Sequence, residues 1–133
     1  MSSHAEGLLA RWEQSLERGR FPFEIQNDQE LYELEMEHIF RRGWQFVGFE
    51  AEVPEPGDYV VRPVADDEYI ITRDEDGDVL ILLNSCAHQG TPVCAMERGN
   101  ASHFRCPYHG WTYDNEGELV GVTRMNDAYD DGV

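Results

Sequence analysis

Two stretches decide how this chain is to be read: NSCAHQG at 84–90 and FRCPYHGW at 104–111. Each holds one cysteine and one histidine, spaced C-x-H in the first (Cys86, His88) and C-x-x-H in the second (Cys106, His109). Gly90 and Gly110 follow the two pairs. Glycine there lets the backbone turn tightly and aim its amides at a negatively charged centre. Pro92 and Pro107 stiffen the same segments, which lowers the entropic cost of presenting four donors together. Two thiols and two imidazoles, delivered as two mixed pairs, suggest a metal centre. Zinc, an iron–sulfur cluster and no metal at all are the three readings to separate.

Working outward, the pairs sit in a β-rich texture. DYVVRP (58–63), EYIITR (68–73) and VLILLN (79–84) alternate or run apolar, as strands do, and WQFVGF (44–49) is expected to be another. SHFRC (102–106), GWTY (110–113) and ELVGV (118–122) add short strands, with hairpin turns at DEDGD (74–78) and DNEGE (114–118). Upstream the period becomes helical. Leu8, Leu9, Trp12 and Leu16 share a face of a helix expected from Ser3 to Arg18 and stopped by Gly19. Asn27 with Glu30 resembles a capping box opening a second helix, with Leu31, Leu34 and Ile39 on its apolar face and Gly43 at its end. The expected fold is mainly β with N-terminal helices: a small antiparallel β sandwich or barrel bearing two ligand loops. Trp44, Phe46 and Phe104 are assigned to its core, Cys94 to a small buried position, His4 to a frayed terminus, and His38 and His103 to the surface.

Composition narrows the partners. The 133 residues suffice for one domain with a core. Ten arginines, no lysine and 27 acidic residues give a net charge of −17. A field of that sign repels nucleic acid and anionic membranes, so neither is expected as a partner. The acids are scattered, which favours a surface adapted to high salt over a docking face for a basic redox protein. No apolar run is long enough for a signal peptide or a bilayer span, so a cytoplasmic, reducing setting is expected. There Cys86, Cys94 and Cys106 are not expected to form structural disulfides.

Zinc sites of the Cys2His2 kind pair cysteine with cysteine and histidine with histidine on separate elements, unlike the mixed pairs here. A Rieske [2Fe–2S] centre takes two thiolates on one iron and two imidazoles on the other, which two mixed loops supply directly. A reading without metal must explain the doubled spacing and the flanking glycines.

NSCAHQG…CPYHGWTYDNEGEL resembles the Rieske motif of ring-hydroxylating oxygenase α subunits, and LYELEMEHIFRRGWQFVGFEAEVPEPGDY resembles the approach to it. The resemblance runs from about Arg20 to Val122. It implies one Rieske-type [2Fe–2S] cluster per chain, with Cys86 and Cys106 on one iron and His88 and His109 on the other. With the helical periodicity upstream, the expected division is a helical arm over 1–43, a Rieske domain over 44–125 and an acidic tail over 126–133. Three departures stand out. Gln89 replaces the arginine usual after the first histidine. Thr91 and Tyr108 stand where respiratory Rieske proteins carry a disulfide. Trp111 stands where those proteins have a serine. Trp111 and Tyr113 are candidates to shield the cluster, Tyr113 by donating to a ligand sulfur. The missing serine and the acidic chain together point to a potential at the low end of the Rieske range, roughly −150 mV.

The family's oxygen-activating site is a mononuclear iron held by two histidines and a carboxylate, and no histidine follows His109. The expected function is therefore electron transfer by an oxidoreductase component, truncated or separately encoded, and not a complete dioxygenase or monooxygenase. It would take electrons from a ferredoxin or reductase and pass them to the mononuclear iron domain, with a possible homo-oligomer. A free-standing Rieske ferredoxin and a structural zinc module are the alternatives.

Overall fold

The computed structural model describes residues 2–123, so the expected acidic tail, 126–133, lies outside the described residues. These residues form two compact units that divide between Gln45 and Phe46.

In the first unit, α1 spans Ser3–Leu16 and α2 spans Gln29–Glu35. Ser2 caps α1 by accepting from the His4 and Ala5 amides, and Gly19 takes φ +64 three residues past its end. Ala5 and Leu8 bury against Leu31, with Leu9, Ile25 and Leu34 around them. Three expectations change here. The cap of α2 is Asp28, whose carboxylate accepts from the Leu31 amide at 3.0 Å; Glu30 instead receives the Ser2 hydroxyl at 2.6 Å. Ile39 is exposed because α2 continues into a π turn, Met36–Phe40. The wider turn rotates the apolar face, burying Met36 in place of Ile39. His4 is not frayed: its ring lies 2.8 Å from the Asp28 carboxylate. His38 and His103 are exposed, as expected.

Among its described residues the second unit carries seven strands: β1 (Asp58–Val64), β2 (Asp67–Arg73), β3 (Val79–Leu83), β4 (Arg98–Asn100), β5 (His103–Arg105), β6 (Thr112–Asp114) and β7 (Leu119–Gly121). They form two antiparallel sheets, ordered β3-β2-β1-β4 and β5-β6-β7. Alternation on β1 and β2 serves two cores at once. Tyr59 and Ile70 face Cys94 and Phe104, and Val60 and Ile71 pack on the other side against Val53, Val47 and Val79. Val60 and Ile71 lie directly opposite in the ladder, so each strand contributes to both faces in register. Tyr59 meets Phe104 edge to face, with ring centroids 5.3 Å apart, joining the two sheets. Full burial of Ile70 contributes about 1.5–3 kcal/mol.

WQFVGF is not a strand, and Trp44 and Phe46 are exposed, not core. Val47 supplies the inward contact from this segment, and Phe46 turns out to meet Phe49 edge-on at 5.0 Å. Phe104 is buried as expected. β4 was not foreseen: RGN has no strand propensity and is held by pairing with β1.

Candidate metal centre

The two loops are the same turn built twice. From Cys86 the chain makes three turn residues and reaches Gly90, whose amide donates to Cys86 O at 2.7 Å. From Cys106 it does the same, and the Gly110 amide donates to Cys106 O at 3.0 Å. The Cys86 amide donates to Thr91 O and the Cys106 amide to Trp111 O, at 2.8 and 2.7 Å. Both glycines sit at φ +73, a conformation open to glycine at little cost. Inside this common frame the histidine occupies the second position after cysteine in one loop and the third in the other. That is the origin of C-x-H and C-x-x-H.

The four side chains sort by type. Cys86 and Cys106 are both 2% exposed and pack with Trp111 above Val93, Tyr113, Leu119 and Val122. The His88 and His109 rings approach at 4.7 Å, inclined by 74°, with His88 half-buried and His109 exposed. Trp111 stacks on the His88 ring at 4.9 Å and 12°, and Tyr108 covers His109 at 3.9 Å. Thiols thus lie at the protein end and imidazoles at the solvent end. A cavity of about 540 Å³ beside the second loop, lined by Arg105, Tyr108, His109, Gly110 and Thr123, leaves that end open.

Electrostatics favour the thiolate at Cys86. Burial alone would raise its pKa. Hydrogen bonds from the Tyr113 hydroxyl, the His88 and Gln89 amides and the Cys106 thiol outweigh burial and hold it below the usual thiol range. Tyr113 shows the reciprocal effect: burial, then the bond to Cys86, push it up to about 12. Its oxygen lies 3.3 Å from Cys86 Sγ and accepts from the Ala87 amide at 3.0 Å. With that amide donating to the oxygen, the hydroxyl hydrogen is left for the sulfur.

Among the described residues no group of three or more histidine, cysteine, aspartate or glutamate side chains could hold a single ion. A tetrahedral zinc needs four donors about one point. A Rieske cluster needs two pairs on two irons, and two thiols beside two imidazoles are such a set.

Residues 43–129 match the Rieske [2Fe–2S] domain family. This chain belongs to that family. A Rieske domain carries a [2Fe–2S] cluster, and the donor chemistry of the two loops fits one. The Rieske domains it matches are those of oxygenase α subunits. It is 44% identical over 127 residues to the N,N-dimethyl phenylurea N-demethylase subunit alpha of Sphingobium sp. (strain YBL2), covering 96% of this chain and 28% of that one. To the benzene 1,2-dioxygenase subunit alpha of Pseudomonas putida it is 40% identical over 104 residues, covering 78% and 23%. The crystal structure of naphthalene 1,2-dioxygenase from Rhodococcus sp. bound to indole superposes with a TM-score of 0.87 at 45% identity, covering 99% of this chain and 30% of that one. The chain thus spans less than a third of the length of these relatives.

One feature of the Rieske loops escaped the reading of the sequence although it is visible there. From Asn84 to Tyr113 the chain has a single carboxylate, Glu97, beside Arg98 and Arg105. In a chain of 27 acidic residues, the stretch that holds both loops is nearly neutral along the sequence. The matched turns and the Tyr113 bridge, by contrast, needed coordinates.

Proposed function

We propose that this domain relays single electrons from a ferredoxin or reductase to the mononuclear iron of a ring-hydroxylating oxygenase. Residues 44–125 would carry the relay and residues 1–43 form its helical arm. Cys86 and Cys106 would hold one iron, and His88 and His109 the other. The bound cluster supplies a site that accepts and returns one electron at a time. The observation that carries this reading is the sorting of donors, with thiols buried together and imidazoles ring to ring at the open end.

The residues divide the remaining tasks. Tyr113 and the amides of His88 and Gln89 stabilise negative charge on Cys86 Sγ. Trp111, stacked on His88 and 7% exposed, excludes water from the thiol side. His109 carries the path to the surface, where a partner can approach within contact. Between Asn84 and Tyr113 only Glu97 carries a carboxylate, so the loops themselves add little charge to oppose an incoming electron, and exposed acids elsewhere are screened by salt. Trp111 offers no hydroxyl in place of the serine of high-potential Rieske proteins, which supports a midpoint near the low end of the range.

The test is iron, zinc and acid-labile sulfide per chain after anaerobic purification in high salt, followed by incubation with a reductase. Two irons with two sulfides and a reducible EPR signal are expected. Zinc without sulfide, with reconstitution failing, would refute the relay and leave a structural module.

A further inference from the structure

The two metal loops are built alike but anchored differently. The second leaves β5 and enters β6, and those strands pair across its base, with Arg105 opposite Thr112. The first leaves β3, which pairs only with β2 among the described strands, and the returning segment 91–97 is held by backbone bonds only at its ends, where Thr91 O accepts from the Cys86 amide and Glu97 O from the Val61 amide, each at 2.8 Å. One side chain spans that gap. Asn84 is 4% exposed, and its Oδ1 accepts from the Val93 amide at 3.0 Å and the Cys94 amide at 2.9 Å. Its Nδ2 donates to Cys94 O at 2.8 Å and to Glu68 Oε2 at 3.1 Å. A primary amide has two donors and two acceptor lone pairs, and all four are used. The Asn84 amide nitrogen donates in turn to Glu68 O at 2.8 Å, tying the same residue to β2.

The exchange with Cys94 has the form of a strand pairing. The carboxamide gives a hydrogen to Cys94 O and takes one from Cys94 N, as opposed peptides do in an antiparallel ladder. We propose that Asn84 is the positioning residue of the first metal loop: its side chain stands in for the missing ladder and holds Cys86 and His88 in place against the second pair. Its consequence for a cluster rests on the ligand assignment proposed above; the bracket itself does not.

A residue that merely stabilises the fold loosens the whole unit when removed, whereas a bracket loosens one loop. The chain carries its own reporters for this difference. Cys86 and Cys94 lie within the bracketed segment and Cys106 in the ladder-held loop, all three free and buried. The experiment is alkylation of the full chain with each cysteine followed by peptide mass: Cys94 with the cluster bound, and all three after a chelator has removed the iron, because bound iron would shield the proposed ligands Cys86 and Cys106. Asn84→Ala is compared with the parent and with Val60→Ala, which weakens the sheet core outside both loops.

In Asn84→Ala, Cys94 and Cys86 are expected to label about tenfold faster than in the parent, with Cys106 within about twofold, because bonds that closed one loop are lost. The EPR line shape should shift and bleaching by an iron chelator should quicken. Val60→Ala should leave line shape and bleaching unchanged. A common acceleration of all three cysteines in Asn84→Ala, or none at all, would overturn the bracket. If the parent takes up no iron and sulfide, the ligand assignment fails, and the contrast between Cys94 and Cys106 still decides the role of Asn84.

Discussion

Tyr113→Phe removes one oxygen and leaves the ring in place. In the parent that oxygen lies 3.3 Å from Cys86 Sγ and has its acceptor role filled by the Ala87 amide. The variant therefore loses one donor to a sulfur that becomes more negative on one-electron reduction, so the reduced form loses more. Taking the difference as a typical net hydrogen bond, about 0.5–1.5 kcal/mol, and about 59 mV for each tenfold in a one-electron couple, the midpoint should fall by roughly 20–60 mV. Fold stability should drop by about 1 kcal/mol, since Ala87 is exposed and water can take its amide. A redox titration of the loaded chain followed by EPR, at fixed salt, measures the shift. Because Tyr113 is pushed up to about 12, its hydroxyl keeps its proton at neutral and mildly alkaline pH. The gap between variant and parent should therefore not change with pH there. An unchanged or raised midpoint would refute the donor role of Tyr113.

Four further outcomes are expected. Gly90→Ala and Gly110→Ala share the same φ, costing about 1–2 kcal/mol, but a methyl at Gly110 would meet Thr123 Oγ1 at 2.5 Å while the nearest atom at Gly90 is 3.9 Å away. Urea melts should show Gly110→Ala the worse by about 1 kcal/mol or more, and equal losses would mean that Thr123 yields freely. His88→Cys should still assemble a cluster yet lower its midpoint by adding a thiolate; an unaltered midpoint would remove His88 from the ligand set. Asp28, Glu52 and Asp58 are held below the ordinary carboxylate range, chiefly by bonds from His4, the Phe49 amide and Asn100 respectively. Their contribution to stability is therefore complete above that range and lost as pH falls through about 4 and below, which urea midpoints measured down to pH 3 should show, with Glu52→Gln flattening part of the loss. Raising salt from about 0.1 to 1 M shortens the screening length from about 10 to 3 Å, so a chain of charge −17 should melt at higher temperature; a flat response would argue against a salt-adapted surface.

The donor types at the site were legible because each pair is local: Cys86 and His88, or Cys106 and His109, fall on one turn, and the residues between them set the spacing. β1, β2 and β3 were legible for a similar reason, since period-two burial is written into DYVVRP and EYIITR and strong apolarity into VLILLN. Where local pattern and long-range packing disagreed, packing prevailed. WQFVGF has the composition of a strand, yet it forms no ladder, and only Val47 among its side chains reaches an identified core cluster. RGN has no such composition and pairs because β1 offers it an edge. The π turn after α2 exchanged Ile39 for Met36 by changing the period itself.

The chemistry of the centre could be read along the chain, since which atoms can bind iron depends on residue type alone. How the atoms are sorted could not. Bringing Cys86 beside Cys106 and His88 beside His109 requires two turns twenty residues apart to face each other. That arrangement comes from strand pairing under one loop and from the Asn84 carboxamide under the other. These bonds join residues across the fold, and their partners are named by no local spacing.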